Sequence, residues 1–258
     1  MRRAWALDIK RARIVRIVSL KSIDMTEILP AVEIESPSGV KVNASIIWLH
    51  GLGADGSDFA PIVPQLNLPT EFGIRFVFPH APSISVAINN GFVMPAWYDI
   101  RTIKRGPGRE NEEHIDEAIG SLNAILEQLE DQGVPSQRIV LAGFSQGAAM
   151  ALQVGLRYPR PLAGLLILSG YLLLHDRLAS ESSAANKSTP IQFCHGSRDP
   201  IVPIASARDS YEHLKDGPRD IRWVDYPMGH EVCEEQIGHI RSWLNERLPA
   251  AVPEATNA

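Results

Sequence analysis

Six short runs of mostly apolar residues punctuate the chain: Ala44–Leu49, Ile74–Phe78, Arg138–Ala142, Gly164–Leu168, Ile191–Cys194 and Ile221–Tyr226. Each is closed within two residues by Gly, Pro or His. Several are apolar throughout instead of alternating, the pattern of strands buried on both faces of a parallel sheet. Helical patterns occupy intervals between them. Glu112–Gln132 carries Ile115, Ile119, Leu122, Ile125, Leu126 and Leu129 at a 3.6-residue period and stops at Gly133-Val134-Pro135. Gln146–Tyr158 is closed by Pro159, and Ala205–Leu214 and Glu234–Leu248 complete the set. Strand–helix alternation of this kind predicts an α/β class, doubly wound and mostly parallel, with helices on both faces.

Two long stretches break the alternation. Residues 79–111 scatter Ile84, Val86, Ile88, Phe92, Val93, Met94, Trp97 and Tyr98 among Pro and Gly, and are expected to form a small loop cap. Residues 171–189 run into a Ser/Ala-rich segment, Ala179–Thr189, expected to be a mobile loop.

The pentapeptide Gly143-Phe144-Ser145-Gln146-Gly147 sits between the strand ending at Ala142 and the helix that follows. Gly-x-Ser-x-Gly alone occurs by chance in roughly one chain in ten of this length. A preceding strand and a following helix are the setting a nucleophile elbow requires, with glycines where neighbouring backbone leaves no room for a Cβ. Ser145 is therefore the predicted nucleophile. A serine hydroxyl needs a base, and the base an orienting acid, in the order Ser, Asp or Glu, His on this fold. His230, between the last strand and the last helix, fits the base. His175 lies in an earlier loop, His195 precedes the acid position, and His213 and His239 fall inside helical patterns. Asp199 follows the preceding strand, at the sheet edge where an open α/β fold places its site. Asp209 is helical and Asp225 is inside a strand.

A tetrahedral oxyanion needs donors. The backbone N–H of Gln146, at the start of the helix, is one. Leu52 N–H is assigned as the second, in the loop His50-Gly51-Leu52-Gly53 after an early strand. His50 itself is read as a brace for that loop, since it precedes the nucleophile.

Charge and cysteine content restrict the class further. The chain of 258 residues carries a formal net charge of −5, which argues against non-specific nucleic-acid binding. Residues 1–24 hold a local +5. They form a basic leader, interrupted by charges and unlike a secretory peptide, read as disordered or as an artefact of start-site assignment. Residues 25–248 are read as one α/β-hydrolase domain and 249–258 as a flexible tail. The longest nearly apolar run, Leu162–Leu174, is too short to span a membrane. Cys194 and Cys233 are too few for a disulfide scaffold, so a reduced, cytoplasmic setting is expected.

The motifs together resemble the carboxylesterase/acyl-protein thioesterase family, also called phospholipase/carboxylesterase. The resemblance rests on His50-Gly51-Leu52-Gly53, Phe78-Pro79-His80-Ala81-Pro82, Asn89-x-Gly91, Met94-Pro95-Ala96-Trp97-Tyr98-Asp99, Arg138–Gly147, Leu168-Ser169-Gly170-Tyr171, His195-Gly196-x-x-Asp199 and Gly229-His230. It implies Ser145, Asp199 and His230 as the triad, Leu52 and Gln146 at the oxyanion hole, and an acyl-chain channel around Met94–Trp97. An acyl group is expected against Met94, Trp97 and Tyr171. The implied activity is hydrolysis of short-to-medium acyl esters or thioesters, of small molecules or acyl-proteins, with no metal and no cofactor. Acyl-protein thioesterase or lysophospholipase action is the alternative physiological activity. A peptidase or lipase on the same fold, and a non-catalytic binding relative, are the rivals. By resemblance a homodimer is an admissible assembly, with the apolar loops near the site as contact surface. Two departures stand out: Ala148 where relatives often carry a second Gly, and the length of Ala179–Thr189.

Overall fold

In the computed structural model, which describes residues 16–18, 28–35, 40–104, 106 and 108–249, the six apolar runs become strands of one sheet. The strands are β1 (Arg16–Val18), β2 (Ala31–Glu35), β3 (Ala44–Leu49), β4 (Ile74–Pro79), β5 (Ser83–Val86), β6 (Phe92–Pro95), β7 (Ile139–Phe144), β8 (Gly164–Leu168), β9 (Ile191–Gly196) and β10 (Ile221–Tyr226). The helices are α1 (Ile62–Leu66), α2 (Glu112–Asp131), α3 (Gln146–Gly155), α4 (Leu178–Glu181), α5 (Ile204–Lys215) and α6 (Glu234–Arg247). Eight strands align in the order β1-β2-β4-β3-β7-β8-β9-β10, while β5 and β6 form a separate hairpin. The β1/β2 and β2/β4 pairs are antiparallel, and every pair from β4 to β10 is parallel.

Because successive strand side chains point to opposite faces, an apolar run feeds two cores at once. Ile47, Leu49, Leu141, Leu165, Ile167 and Phe193 pack with the apolar stripes of α2 and α3. The intervening residues Ile46, Trp48, Val140, Ala142, Leu166 and Leu168 pack with Ile62 and Leu66 of α1 and with Ile240, Trp243 and Leu244 of α6. This is the physical reason that the runs do not alternate. Helix α2 starts on the Asn111 side chain, which accepts from Glu113 N. It ends in a Schellman arrangement, with Val134 N donating to Leu129 O and Gly133 N to Glu130 O.

From β3 the chain moves outward to β4 on one side, whereas from β7 it moves to β8 on the other. The carboxyl ends of β3 and β7 therefore flank the crevice where an open α/β sheet places its site.

The structure corrects several expectations. Residues 79–111 are not purely loop, since β5 and β6 form an antiparallel hairpin within them. The Ala179–Thr189 segment is anchored, not loose. It begins in α4 and ends on Asn186, whose buried side chain accepts from Leu162 N and donates to Tyr158 O and Arg160 O. Helix α3 ends at Gly155, short of Tyr158, and continues as turns in which Tyr158 N still donates to Val154 O at 2.8 Å, up to Pro159. Within the basic leader, Arg16–Val18 pair with β2. The rest of the leader and the tail beyond residue 249 lie outside the described residues.

Candidate active site

Ser145 follows the last residue of β7 and caps α3 with φ 56° and ψ −119°. Positive φ in a non-Gly residue is strained and persists only where the surroundings hold it. Here Ser145 N donates to Leu168 O at 2.9 Å, and Ser145 O accepts from Ala149 N at 3.1 Å. The flanking glycines are sterically required. A Cβ on Gly143 would sit 2.3 Å from Gly147 O, and one on Gly147 would sit 2.3 Å from Leu49 O and 2.5 Å from His50 O. The motif thus sets two backbones, the elbow and the end of β3, in direct contact.

Asp199 lies in the turn after β9 and His230 in the loop between β10 and α6. His230 Nδ1 and Asp199 Oδ2 are 2.7 Å apart, and the carboxylate is fully buried. Asp199 Oδ1 accepts from Ile201 N and Val202 N, both at 2.9 Å. With one oxygen saturated by amides, the other is left to the imidazole, so Nδ1 carries the proton and Nε2 keeps its lone pair. The two loops touch through backbone: a Cβ on Gly196 would meet Gly229 O at 2.1 Å. Phe144, the residue before the serine, packs on the His230 ring with centroids 4.6 Å apart. The structure thereby brings Ser145, Asp199 and His230 to one end of the sheet.

The loop after β3 closes through Ala54 N donating to Gly51 O at 3.2 Å, with Gly53 at φ +75°. Leu52 N has no hydrogen-bond partner among the described residues. Gln146 N belongs to the first turn of α3, whose N–H groups have no acceptor within the helix. His50 is a brace, as its position implies. Its Nε2 accepts from Ala81 N at 3.0 Å, so Nδ1 donates to Gly51 O at 2.8 Å. Burial holds its pKa below the ordinary 6.5.

The family model described as Phospholipase/Carboxylesterase matches residues 29–248. The chain belongs to this family. Acyl-protein thioesterase 1 of Neurospora crassa is 38% identical over 223 residues, covering 83% of this chain and 90% of that protein. The thioesterase of the same name from Gibberella zeae is 35% identical over 221 residues, covering 83% and 94%. Among solved structures, Arabidopsis thaliana SOBER1 aligns with TM-score 0.73 at 31% identity, covering 80% of this chain and 99% of that chain. Zea mays acyl-protein thioesterase 2 aligns with TM-score 0.71 at 26% identity, covering 84% and 98%. As a member of the phospholipase/carboxylesterase family, this protein is an ester hydrolase. No helix among the described residues is long and apolar enough to cross a membrane.

In this family member, the three residues expected along the acyl chain occupy different surroundings. Met94 is half-buried on β6, its sulfur 3.6 Å from where a Cβ on Gly53 would stand. Trp97 is buried against the loop after β3, donating its indole N–H to His50 O at 2.9 Å. Tyr171 bonds Tyr98 and Glu110 through its hydroxyl and lies under Arg109. It lines a cleft of about 640 Å³ whose other walls include Leu174, His175 and His213.

Sequence reasoning assigned no role to the Gln146 side chain or to His195. Gln146 Oε1 accepts from Trp97 N at 2.8 Å, and Nε2 donates to Tyr98 O at 2.7 Å. His195 is buried, donates Nε2–H to Val202 O at 2.8 Å, and lies 3.6 Å from Asp199 Oδ2. Its pKa is also lowered by burial. The only sequence signal for either was adjacency to an assigned residue or motif. Among the described residues no cluster of three or more metal-ligating side chains occurs.

Proposed function

We propose that the protein hydrolyses acyl thioesters and oxygen esters through Ser145, His230 and Asp199 by way of an acyl-enzyme. The observation that carries this reading is the buried Asp199–His230 contact of 2.7 Å beside a serine held at positive φ. His230 Nε2 takes the Ser145 proton as Oγ attacks the acyl carbonyl. The oxyanion that forms is held by Leu52 N–H and Gln146 N–H, and losing one such donor typically costs roughly 10²–10³ in rate. Collapse breaks the bond to the thiol or alcohol, which leaves with the proton returned by His230. Water, deprotonated by His230, then attacks the acyl-enzyme and releases the acid and free Ser145. Asp199 keeps the imidazole in the Nδ1–H tautomer throughout.

Thioester cleavage is favoured as the physiological activity by the acyl-protein thioesterases of Neurospora and Gibberella. Of the three residues expected against the acyl group, Met94, half-buried beside Gly53, is the proposed contact; Trp97 is buried and Tyr171 lines a cleft of other residues. The same reading includes residues 25–248 as one catalytic domain, a reduced cytoplasmic setting consistent with unpaired Cys194 and Cys233, and a homodimer whose contact includes the exposed Phe92 and Val93. The test is turnover of p-nitrophenyl esters and acyl thioesters of increasing chain length by wild type and Ser145→Ala. Wild type is expected to turn over and to be labelled by a fluorophosphonate, and the variant to do neither. Equal activity of the two proteins would refute the reading.

A further inference from the structure

We infer that the side chain of Gln146 is a positioning residue that holds the two halves of the oxyanion hole in register. The inference rests on the proposed reaction at Ser145 and assigns a separate function to the carboxamide, beyond the amide N–H of the same residue.

The two oxyanion donors come from segments that share no secondary structure. Gln146 N–H belongs to α3, whereas Leu52 N–H belongs to the loop after β3. Their separation must be held closely, because a misplacement of about 1 Å can cost on the order of 10²-fold in rate. The Gln146 carboxamide binds the backbone of the Trp97–Tyr98 segment at two points, Oε1 accepting from Trp97 N at 2.8 Å and Nε2 donating to Tyr98 O at 2.7 Å. Gln146 is 3% exposed, so no water competes for these bonds. From that segment two links run to the loop that carries Leu52. The Trp97 indole N–H is donated to His50 O at 2.9 Å. Two residues before Trp97, Pro95 O accepts Gly53 N–H at 2.8 Å, next in sequence to the proposed donor Leu52. The path from one donor to the other is thus Gln146 side chain, residues 95–98, then residues 50–53. A residue holding both bonds must have an acceptor and a donor at the reach of a glutamine; Asn is a methylene too short, and Met has the reach without the bonds.

The test compares Gln146→Met, which keeps length and volume, with wild type, Ser145→Ala and Trp97→Phe. Active sites are counted by exhaustive fluorophosphonate labelling, and p-nitrophenyl butyrate turnover is expressed per labelled site. For Gln146→Met the expected result is a kcat about 100-fold lower with KM within about threefold, the signature of an interaction made in the transition state. The rate of phosphonylation should fall in parallel. Trp97→Phe removes the link to His50 O and is expected to lower kcat about tenfold with the same small change in KM. A purely structural role would instead reduce the number of labelled sites and leave kcat per site unchanged, and that result overturns the inference. So does a folded Gln146→Met with kcat within about threefold of wild type, or failure of both variants to fold. If Ser145→Ala is as active as wild type, the proposed nucleophile is wrong. If it is inactive while Gln146→Met is unimpaired, only the positioning role is lost.

Discussion

Replacing Asp199 with Asn tests the arrangement at its most constrained point. The carboxylate has two unequal oxygens: Oδ1 accepts two amide bonds at 2.9 Å, and Oδ2 accepts from His230 at 2.7 Å. In Asp199→Asn the carbonyl oxygen must take the Oδ1 position, because the opposite orientation turns an NH2 group toward two N–H donors. Leaving those buried amides unpaired would cost about 1–3 kcal/mol each, so at most roughly one molecule in 30 adopts it. The NH2 group then faces His230 Nδ1 and forces the proton onto Nε2, the atom proposed to accept from Ser145. In serine proteases with the same constellation, inverting the tautomer lowers kcat by about 10⁴, or about 5.4 kcal/mol of transition-state stabilisation. The same loss is expected here, measured as p-nitrophenyl butyrate turnover per folded molecule. Stability in urea should stay within about 1 kcal/mol of wild type, because the amide bonds are retained. Asp199→Ala, by contrast, strands both amides and should lose about 2–6 kcal/mol. A folded Asp199→Asn protein retaining more than a tenth of wild-type kcat would refute the reasoning and move the orienting acid elsewhere.

Two further outcomes follow from buried polar groups away from the reacting atoms. Burial keeps His50 and His195 neutral, with pKa values below the ordinary 6.5, so the unfolded chain binds more protons than the folded one in the window below 6.5. Stability is therefore fully present above that pH and falls as pH drops through it, by up to about 1.4 kcal/mol per pH unit for each histidine until the folded-state pKa is reached. Urea midpoints at pH 7.5 and 5.5 measure this, and an unchanged midpoint would contradict it. Asn186→Ala removes bonds to Leu162 N, Tyr158 O and Arg160 O and leaves those groups unpaired. A loss of about 3–6 kcal/mol is expected from denaturant unfolding, and a loss under about 1 kcal/mol would show that the segment after α4 is not anchored there.

How much was legible in the sequence follows from the range of the interactions involved. The inner strands, the long helix α2 and the elbow at Ser145 were readable because each has a local signature. A strand buried on two faces is an unbroken apolar run, an amphipathic helix repeats every 3.6 residues, and an elbow needs glycine at two fixed offsets. The chain order of Ser145, Asp199 and His230, each just past a strand, was enough to nominate them, since a parallel sheet gathers its carboxyl ends along one edge. The β5–β6 hairpin, α1 and the anchored segment ending at Asn186 were not readable. Their elements are only four or five residues long, too short for a period to show, and their stability comes from contacts made only after the sheet has formed.

The determinants behind the site were less visible still. Gln146 reaches residues 48 and 49 positions away, His50 reaches one 31 positions away, and His195 acts through the folded turn around Asp199. No periodicity or motif spacing encodes bonds over such separations. The sequence by itself determined the fold class, the strand–turn–helix setting of Ser145 and the chain order of Ser145, Asp199 and His230. The tertiary structure alone decided which Asp199 oxygen faces His230, which nitrogen of each buried histidine carries the proton, and what ties the loop after β3 to the elbow. Those outcomes depend on which donors and acceptors meet once the backbone is closed, and a buried polar group must take the partner that packing brings to it.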